Sequence, residues 1–405
     1  ALLGASQIQT PVEETIIVIG GDVMGNMAPC GCTKPMSGGI KRRASMIRML
    51  TQGKKHLVLE NGGMIADLGR QSELKAEALS EIFGSLDAIV HFHSGDVTLG
   101  RGALASSTRL VGKGSLGGGI EQDTETGLRS TTVKGDFVIG AASPRRALAD
   151  ALGVPYQDVQ VVVNEVLNFA DSLGKVPILL LDGDRQLAEE VATKNPKLRL
   201  IVYSSLGDPD SSLQRLGNTL LITPGEKGKH AIKLVYNGDF TGYAPINLGP
   251  EVPDDPVATK VYDEYLDRVR TEDLLGKLPR EKSEAFAGSR NCAPCHGVTY
   301  KKWEESRHAN ALTTLEHDNH DADPDCVGCH VVGLEAMGGF VSRAKTPQLA
   351  SVGCESCHGP ARAHAKDPWK KKLPKVGKDA CLKCHTAHTS PKFDFDSYWQ
   401  KIVHK

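Results

Sequence analysis

Short apolar runs recur through the first 250 residues: Ile16–Ile19, Leu57–Leu59, Ala88–Val90, Ile178–Leu181, Leu198–Val202, Thr219–Ile222 and Ala231–Tyr236. Longer stretches with helical spacing separate several of them, such as Lys41–Leu50, Ser72–Leu86 and Arg185–Lys194. Strands alternating with helices predict an α/β domain over residues 16–250 with a largely buried sheet. The glycine-rich stretch Gly112–Gly119 is low in apolar content and predicts a long loop.

The pattern changes near residue 250. Pro250, Pro253 and Pro256 stand among acids and mark a linker over residues 251–287. A helix is expected to start there, with Asp255 as its cap and Pro256 at its first position. Val257, Val261, Tyr265 and Val269 recur every four residues, predicting one apolar stripe on a helix that docks one domain on the other. From residue 288 to 405 strand signals become few, and the chain turns His-, Lys- and Cys-rich.

A length of 405 residues is too great for one ordinary core and predicts two or three domains. The 48 basic and 49 acidic residues leave no basic excess that would suit nucleic acid or an anionic membrane. No apolar run is long enough to span a bilayer. Residues 1–15 form a separate segment whose start, ALLGASQIQT, lacks a basic region and a long apolar stretch. It reads as a mature N-terminus or a trimmed chain rather than an intact signal peptide.

Ten cysteines carry the chemistry. Eight fall in four Cys-x-x-Cys-His units: Cys292/Cys295/His296, Cys326/Cys329/His330, Cys354/Cys357/His358 and Cys381/Cys384/His385. That spacing marks covalent haem attachment, with both thiols bound to the porphyrin and the adjacent histidine on the iron. Paired cysteines also make zinc sites, but zinc does not require a histidine straight after every second cysteine. Roughly 30 residues per unit cannot build much apolar core, and four covalently bound haem c groups would supply it. His308, His320, His364, His388 and His404 are the candidate second ligands; His317 shares its acidic loop with the better-placed His320. A second histidine gives a low-spin iron suited to electron transfer, and a missing one leaves a site open to small molecules.

The segments CAPCHGVTYKKWEESRHANA, CVGCHVVGLEAMGGF, SVGCESCHGPARAHA and CLKCH with SPKFDFDSYW resemble the cytochrome c-554 family. The likeness covers roughly residues 288–405. It implies a periplasmic, mostly helical or irregular multihaem module with haems in closely packed pairs, and an electron-carrier role beside a redox partner. It also implies that His308 and His404 act as distal ligands. The chain departs from the family in its extra histidines, His317, His320 and His388, and in a short insert between the third and fourth units. Relatives can hold one five-coordinate haem, and the extra histidines bear on whether that open site persists here.

Residues 16–65 read IIVIGGDVMGNMAPCGC, then SGGIKRRASMIRML, then HLVLENGG. They resemble the calcineurin-type metallophosphoesterase domain of periplasmic nucleotidases. The resemblance implies a layered sheet and two metals held by Asp, His and Asn at strand ends. Asp22 stands at the first Asp, but Met24 replaces a histidine and Gly63 an acid. The Asn-His step is not evident around His93–Asp96, and Tyr203–Ser204–Ser205 replaces the late histidines. Met and Gly cannot replace such ligands, so neither a dinuclear site nor phosphoesterase activity is expected, and no metal other than haem iron is assigned. His91 and His93 read as structural. Cys30 and Cys32 remain. Lys34, Lys41, Arg42 and Arg43 nearby would lower a thiol pKa, so the pair is a redox or ligand site, or else an inert loop pair.

Three functions are compatible with these residues. The chain is an exported electron carrier, on the periplasmic or cell-surface side of a bacterial envelope. Alternatively it is a redox enzyme that uses Cys30/Cys32 or an open haem on a small sulfur or nitrogen compound. The third reading is a subunit of a larger cytochrome assembly, in which the first domain docks a partner.

Overall fold

The computed structural model of the chain describes residues 13–29, 36–386 and 389–404. They divide into two compact units, one reaching to Tyr262 and one from Asp263 onward. No helix among the described residues is long and apolar enough to cross a membrane.

In the first unit the strands are β1 (Thr15–Gly20), β2 (His56–Glu60), β3 (Ile89–Phe92), β4 (Ser115–Gly117), β5 (Gln122–Asp123), β6 (Leu128–Arg129), β7 (Thr131–Lys134), β8 (Phe137–Ala142), β9 (Val176–Leu181), β10 (Leu200–Tyr203), β11 (Gln214–Leu216), β12 (Thr219–Ile222), β13 (His230–Tyr236) and β14 (Phe240–Asn247). Two six-stranded sheets result, ordered β14-β13-β1-β2-β3-β4 and β11-β12-β10-β9-β8-β7, plus the short pair β5-β6. Each large sheet is parallel at its centre and antiparallel at an edge. In register, Ile17 lies opposite Leu57 and Ile19 opposite Leu59. Period-2 alternation sends these side chains to one face, where they meet Ile139, Ile178, Leu180, Leu200 and Val202 of the second sheet in a single apolar layer. Residues facing the other way stay buried under helices. Helices α1 (Ile40–Thr51), α2 (Arg70–Ser85), α3 (Gly100–Val111), α4 (Ala147–Leu152), α5 (Val159–Leu173) and α6 (Arg185–Lys194) connect the strands. Val162, Val166 and Val191 of α5 and α6 cover the outer face of the second sheet. Two buried sheets, rather than one, explain why nearly every apolar run is continuous.

The long loop expected at Gly112–Gly119 is not what forms. A single helical turn, Gly112–Gly114, leads straight into β4, and Leu116 is fully buried. The glycines serve close approach: a Cβ at Gly114 would lie 2.1 Å from the Ala88 carbonyl oxygen.

Helix α7 (Pro256–Thr271) begins as expected, with Asp255 Oδ1 accepting from the Ala258 N–H at 2.8 Å. Its apolar face differs from the expected stripe. Val257 is 44% exposed, and the buried face is Ala258, Val261, Tyr262, Tyr265, Leu266 and Val269. Steps of four residues overrun a 3.6-residue turn by about 40° each, so a stripe of fours rotates out of contact.

The second unit has short helices and a small core around Leu275, Phe286, Leu312, Val327, Val332 and Phe340. Beyond Leu349, Ala361 is the one buried apolar residue among those described.

Candidate functional site: paired imidazoles in the second unit

Each Cys-x-x-Cys-His unit folds as about one helical turn. The His296 N–H donates to the Cys292 carbonyl at 2.9 Å, and the His385 N–H to the Cys381 carbonyl at 2.9 Å. One turn gathers both thiols and the imidazole on one side. At the second unit Asp323 accepts from the Asp325 N–H at 3.0 Å and Pro324 opens the turn. At the third, Glu355 is buried and accepts the N–H groups of Ala287 (2.8 Å), Gly288 (2.7 Å) and Ala361 (2.6 Å). Sequence reasoning missed Glu355; its only signal was an acid inside a Cys-x-x-Cys spacer.

Three motif histidines face a histidine from elsewhere in the chain. Ring centroids lie 6.4 Å apart for His296 and His364, 6.3 Å for His385 and His308, and 5.8 Å for His358 and His404. An iron about 2 Å from one nitrogen of each of two imidazoles separates their centroids by roughly 6 Å. These rings are therefore spaced to hold a metal between them. Direct stacking contact would bring them closer, as Phe393 stacks on His385 at 4.6 Å and 9°.

The hydrogen bonds fix which nitrogen is free. His364 Nδ1 meets the Lys371 carbonyl at 2.7 Å, His404 Nδ1 the Ile402 carbonyl at 3.0 Å, and His330 Nδ1 the Ala311 carbonyl at 2.7 Å. A carbonyl only accepts, so Nδ1 carries the proton and Nε2 keeps its lone pair for a metal. His358 bonds the Pro374 carbonyl, and His385 Nδ1 lies 2.9 Å from Ser390 Oγ. Burial lowers the pKa of His308, His358 and His385, which keeps these rings neutral, as ligation requires.

A cavity of about 500 Å³ opens beside Cys292, Cys295, His296, Cys354, Cys357 and His358, with His308, His364 and His404 also in its walls. Thiols of different units adjoin. A hydrogen bond from Cys292 holds the Cys354 thiol down to about 6, and one from Cys384 holds Cys329 down to about 7. Units one and three, and units two and four, are thus neighbours. Trp303 Nε1 donates to the Val352 carbonyl at 2.8 Å and ties the first unit to the third.

His330 takes part in no such ring pair among the described residues, and His388 lies outside them, as do Cys30, Cys32 and Lys34. His317 is exposed and pairs with Asp318 at 2.8 Å. His320 lies 3.8 Å from Asp323 and 4.0 Å from Cys326 Sγ. These three residues form the one compact group of potential metal donors among the described residues, where the sequence suggested no metal but iron. Asp323 already caps a turn, and Cys326 belongs to an attachment pair.

In the first unit the strand ends gather a different set. Asp22 Oδ1 accepts from Ser204 Oγ at 3.2 Å, and burial raises the Asp22 carboxyl to about 6 against the pull of nearby His93. Asn61 Nδ2 donates to the Leu181 carbonyl at 3.2 Å, so its Oδ1 receives the His91 Nδ1–H at 3.1 Å. His91 is held down to about 3 by burial and by His93. His93 Nδ1 accepts the Gly95 N–H at 3.1 Å, leaving the neutral ring with its proton on Nε2. A protonated Nε2 cannot ligate a metal. A Cβ at Gly63 would lie 2.6 Å from Asp22 Oδ1 and 3.4 Å from His93 Nε2, so the lost acid would have pointed into this cluster. His91, with its proton on Nδ1, keeps an Nε2 lone pair, but Asp22, His91 and His93 are not gathered into a compact group of metal donors. Nor are the described basic residues that follow Cys30 and Cys32 in sequence free. Arg43 is buried 3.2 Å from Glu60, Lys41 pairs with Asp254 at 3.0 Å, and Arg42 donates to the Met36 carbonyl at 2.9 Å.

With this geometry in hand, the comparisons fall into two groups. The family described as cytochrome c554 and c-prime matches residues 291–359, which hold three of the four units. The C-terminal part of the chain is similar to cytochrome c-554. The cytochrome c-554 of Nitrosomonas europaea is 32% identical over 134 residues, 25% of this chain and 57% of that protein. The chain thus spans a little over half the length of this curated relative. The NAD nucleotidase of Haemophilus influenzae superposes with a TM-score of 0.54 at 14% identity, over 70% of this chain and 65% of that one. The sulfate thiohydrolase of Thermus thermophilus, solved with glycerol, gives 0.53 at 15%, over 65% and 62%. At such identity the likeness is one of fold: the first unit shares the layered α/β fold of these two proteins.

Proposed function

We propose that the second unit is a four-haem c-type cytochrome and that the protein is an extracytoplasmic electron carrier. The observation that carries this reading is the three imidazole pairs, each joining an attachment-motif histidine to a remote one at a metal-spanning separation. Haem c, when bound, supplies a one-electron couple tuned by its axial ligands and surroundings. The eight motif cysteines hold four such groups. His296 with His364, His385 with His308, and His358 with His404 would hold three of the irons, with backbone carbonyls orienting His364, His404 and His358. His330 would hold the fourth iron. The first unit serves docking or assembly and hydrolyses no phosphoester.

A pyridine haemochrome assay on the matured protein is expected to give four haems per chain, with zinc absent. Electron paramagnetic resonance is expected to give at least three low-spin ferric signals. Colourless protein, or zinc at the cysteines, overturns the reading. A second reading is small-molecule chemistry at the His330 haem, because His330 has no ring partner among the described residues. A spectral change at one haem in four on adding carbon monoxide supports it, and no change refutes it. For the first unit, p-nitrophenyl phosphate with added manganese is expected to be left intact.

A further inference from the structure

The segment Lys366–Lys378 holds six lysines, at 366, 370, 371, 372, 375 and 378, against the single acid Asp367. The whole chain is balanced at a net charge of −1, so this is a local concentration and not a general basicity. Asp367 takes up Lys370 at 3.5 Å, and Glu284 takes up Lys371 at 3.1 Å. Lys366, Lys372 and Lys375 are exposed and form no ion pair among the described residues. In their midst Trp369 is 89% exposed. A tryptophan left in water among lysines is costly for a monomer and is the type of side chain that anchors protein interfaces.

The place of this segment in the fold gives it meaning. Pro368, Leu373, Pro374 and Lys375 line the cavity that holds His358 and His364. The Lys371 carbonyl accepts from His364 at 2.7 Å, and the Pro374 carbonyl accepts from His358. Trp369 and the lysines other than Lys375 are thus on the outside of a wall whose inner surface orients two of the paired imidazoles.

We infer that residues 366–378 are the docking surface for a negatively charged redox protein that exchanges single electrons with the cytochrome unit. The inference rests on the haem reading above. Positive charge around an electron-exchange site steers acidic partners and raises the association rate, with a steep dependence on salt. Trp369 supplies the desolvated anchor at the centre of the patch. An anionic membrane is a poorer match. Prolines 368 and 374 prevent an amphipathic helix, and Leu373 is turned to the cavity, so Trp369 is the segment's one fully exposed large apolar side chain.

The test uses the full-length matured protein and an acidic plant-type [2Fe–2S] ferredoxin as probe. Calorimetric titration reads binding, and stopped-flow absorbance reads the transfer of one electron from the reduced cluster to a ferric haem, with no proton or atom moving. The double variant Lys366→Glu/Lys372→Glu is expected to weaken binding at low ionic strength at least tenfold and to slow that transfer as much. Its far-UV circular dichroism and its reduction by an uncharged quinol are expected to match the wild type. Trp369→Ala is expected to weaken binding at both low and physiological salt. Binding and transfer that stay within twofold in both variants overturn the docking surface. So does Trp369-dependent binding to phosphatidylglycerol vesicles without lysine-dependent binding to ferredoxin. Protein without haem would sink the electron-carrier reading, and the calorimetric arm would still decide the surface.

Discussion

The two units reach order by different physical means. In the first, side chains from both sheets fill one another's gaps, and the strands are buried on both faces. In the second, the apolar cluster ends near Leu349, and the following 50 or so residues carry cysteines, histidines and lysines instead. Apolar area removed from water is the main favourable term in folding, at about 25 cal/mol per Å². One unit draws that term from its own side chains. In the proposed reading the other leaves it to covalently attached porphyrins, which its cysteines and histidines would hold. A chain of this kind can be read from pattern in one half only, and from spacing in the other.

Loss of a porphyrin is the strongest way to break that contrast. In Cys354→Ala/Cys357→Ala the haem count is expected to fall by at least one, and limited proteolysis to cut throughout the region after residue 350. The strands of the first unit are expected to resist digestion as in the parent. Equal resistance of both units in the variant would show that the second unit has an adequate core after all. A smaller and sharper probe is Glu355→Ala. It strips three backbone N–H groups of a charged acceptor. Charge-assisted hydrogen bonds of this kind contribute about 1.5–3 kcal/mol each, not additively, so a loss of roughly 3–5 kcal/mol is expected in the second unit. Trp303, Trp369 and Trp399 all lie there, so tryptophan fluorescence during urea unfolding follows that unit.

The first unit has its own test, through pH. Burial raises the Glu60 carboxyl to about 7, against the pull of Arg43, from an ordinary 4.5. A raised folded-state pKa means that the native state keeps a proton which the unfolded state releases. The contribution to stability is complete below pH 4.5 and is lost as pH climbs towards 7, by up to about 3 kcal/mol. Amide exchange of β1 and β2 is expected to quicken over that window, and Glu60→Gln to flatten the dependence. An unchanged profile in Glu60→Gln would mean that the Arg43–Glu60 pair stays fully ionised throughout.

How much was legible follows the same division. Continuous apolar runs announced β1, β2, β9, β10, β12 and β13, because a strand buried on both faces leaves an unbroken signature. β4 was hidden because only Leu116 is apolar in it and glycines flank it. The helical turn of each motif unit follows from its spacing, which gathers two thiols and an imidazole on one side. The pairing of histidines does not: His308 and His385 lie far apart in sequence, and only the folded chain brings their rings together. Glu355 was invisible for a related reason, because its partners Ala287 and Gly288 come from the segment before the first unit. In the first unit the departures from the resemblance at Met24 and Gly63 are visible in the sequence itself. The tautomers of His91 and His93 required the contacts of Asn61 and Gly95.

The finest distinction between the units is drawn by a single hydroxyl. Ser390 Oγ lies 2.9 Å from His385 Nδ1, on the ring that Phe393 also stacks against. In the first unit an equivalent polar contact, Ser204 to Asp22, serves only to satisfy a buried group. In the proposed haem reading this hydrogen bond would also set how much electron density the His385 ring donates to iron. Ser390→Ala removes an interaction of about 1 kcal/mol, while Phe393 and the His308 partner keep the ring in place. If the bond favours the ferric state by that amount, one reduction potential rises by roughly 40 mV, since 59 mV corresponds to a tenfold change for one electron. Spectropotentiometry of the variant is expected to resolve that shift in a single haem, with the unfolding midpoint of the second unit almost unmoved. A fall in stability without a change in potential would mean that Ser390 is a packing residue. His385 would then be oriented by Phe393 alone.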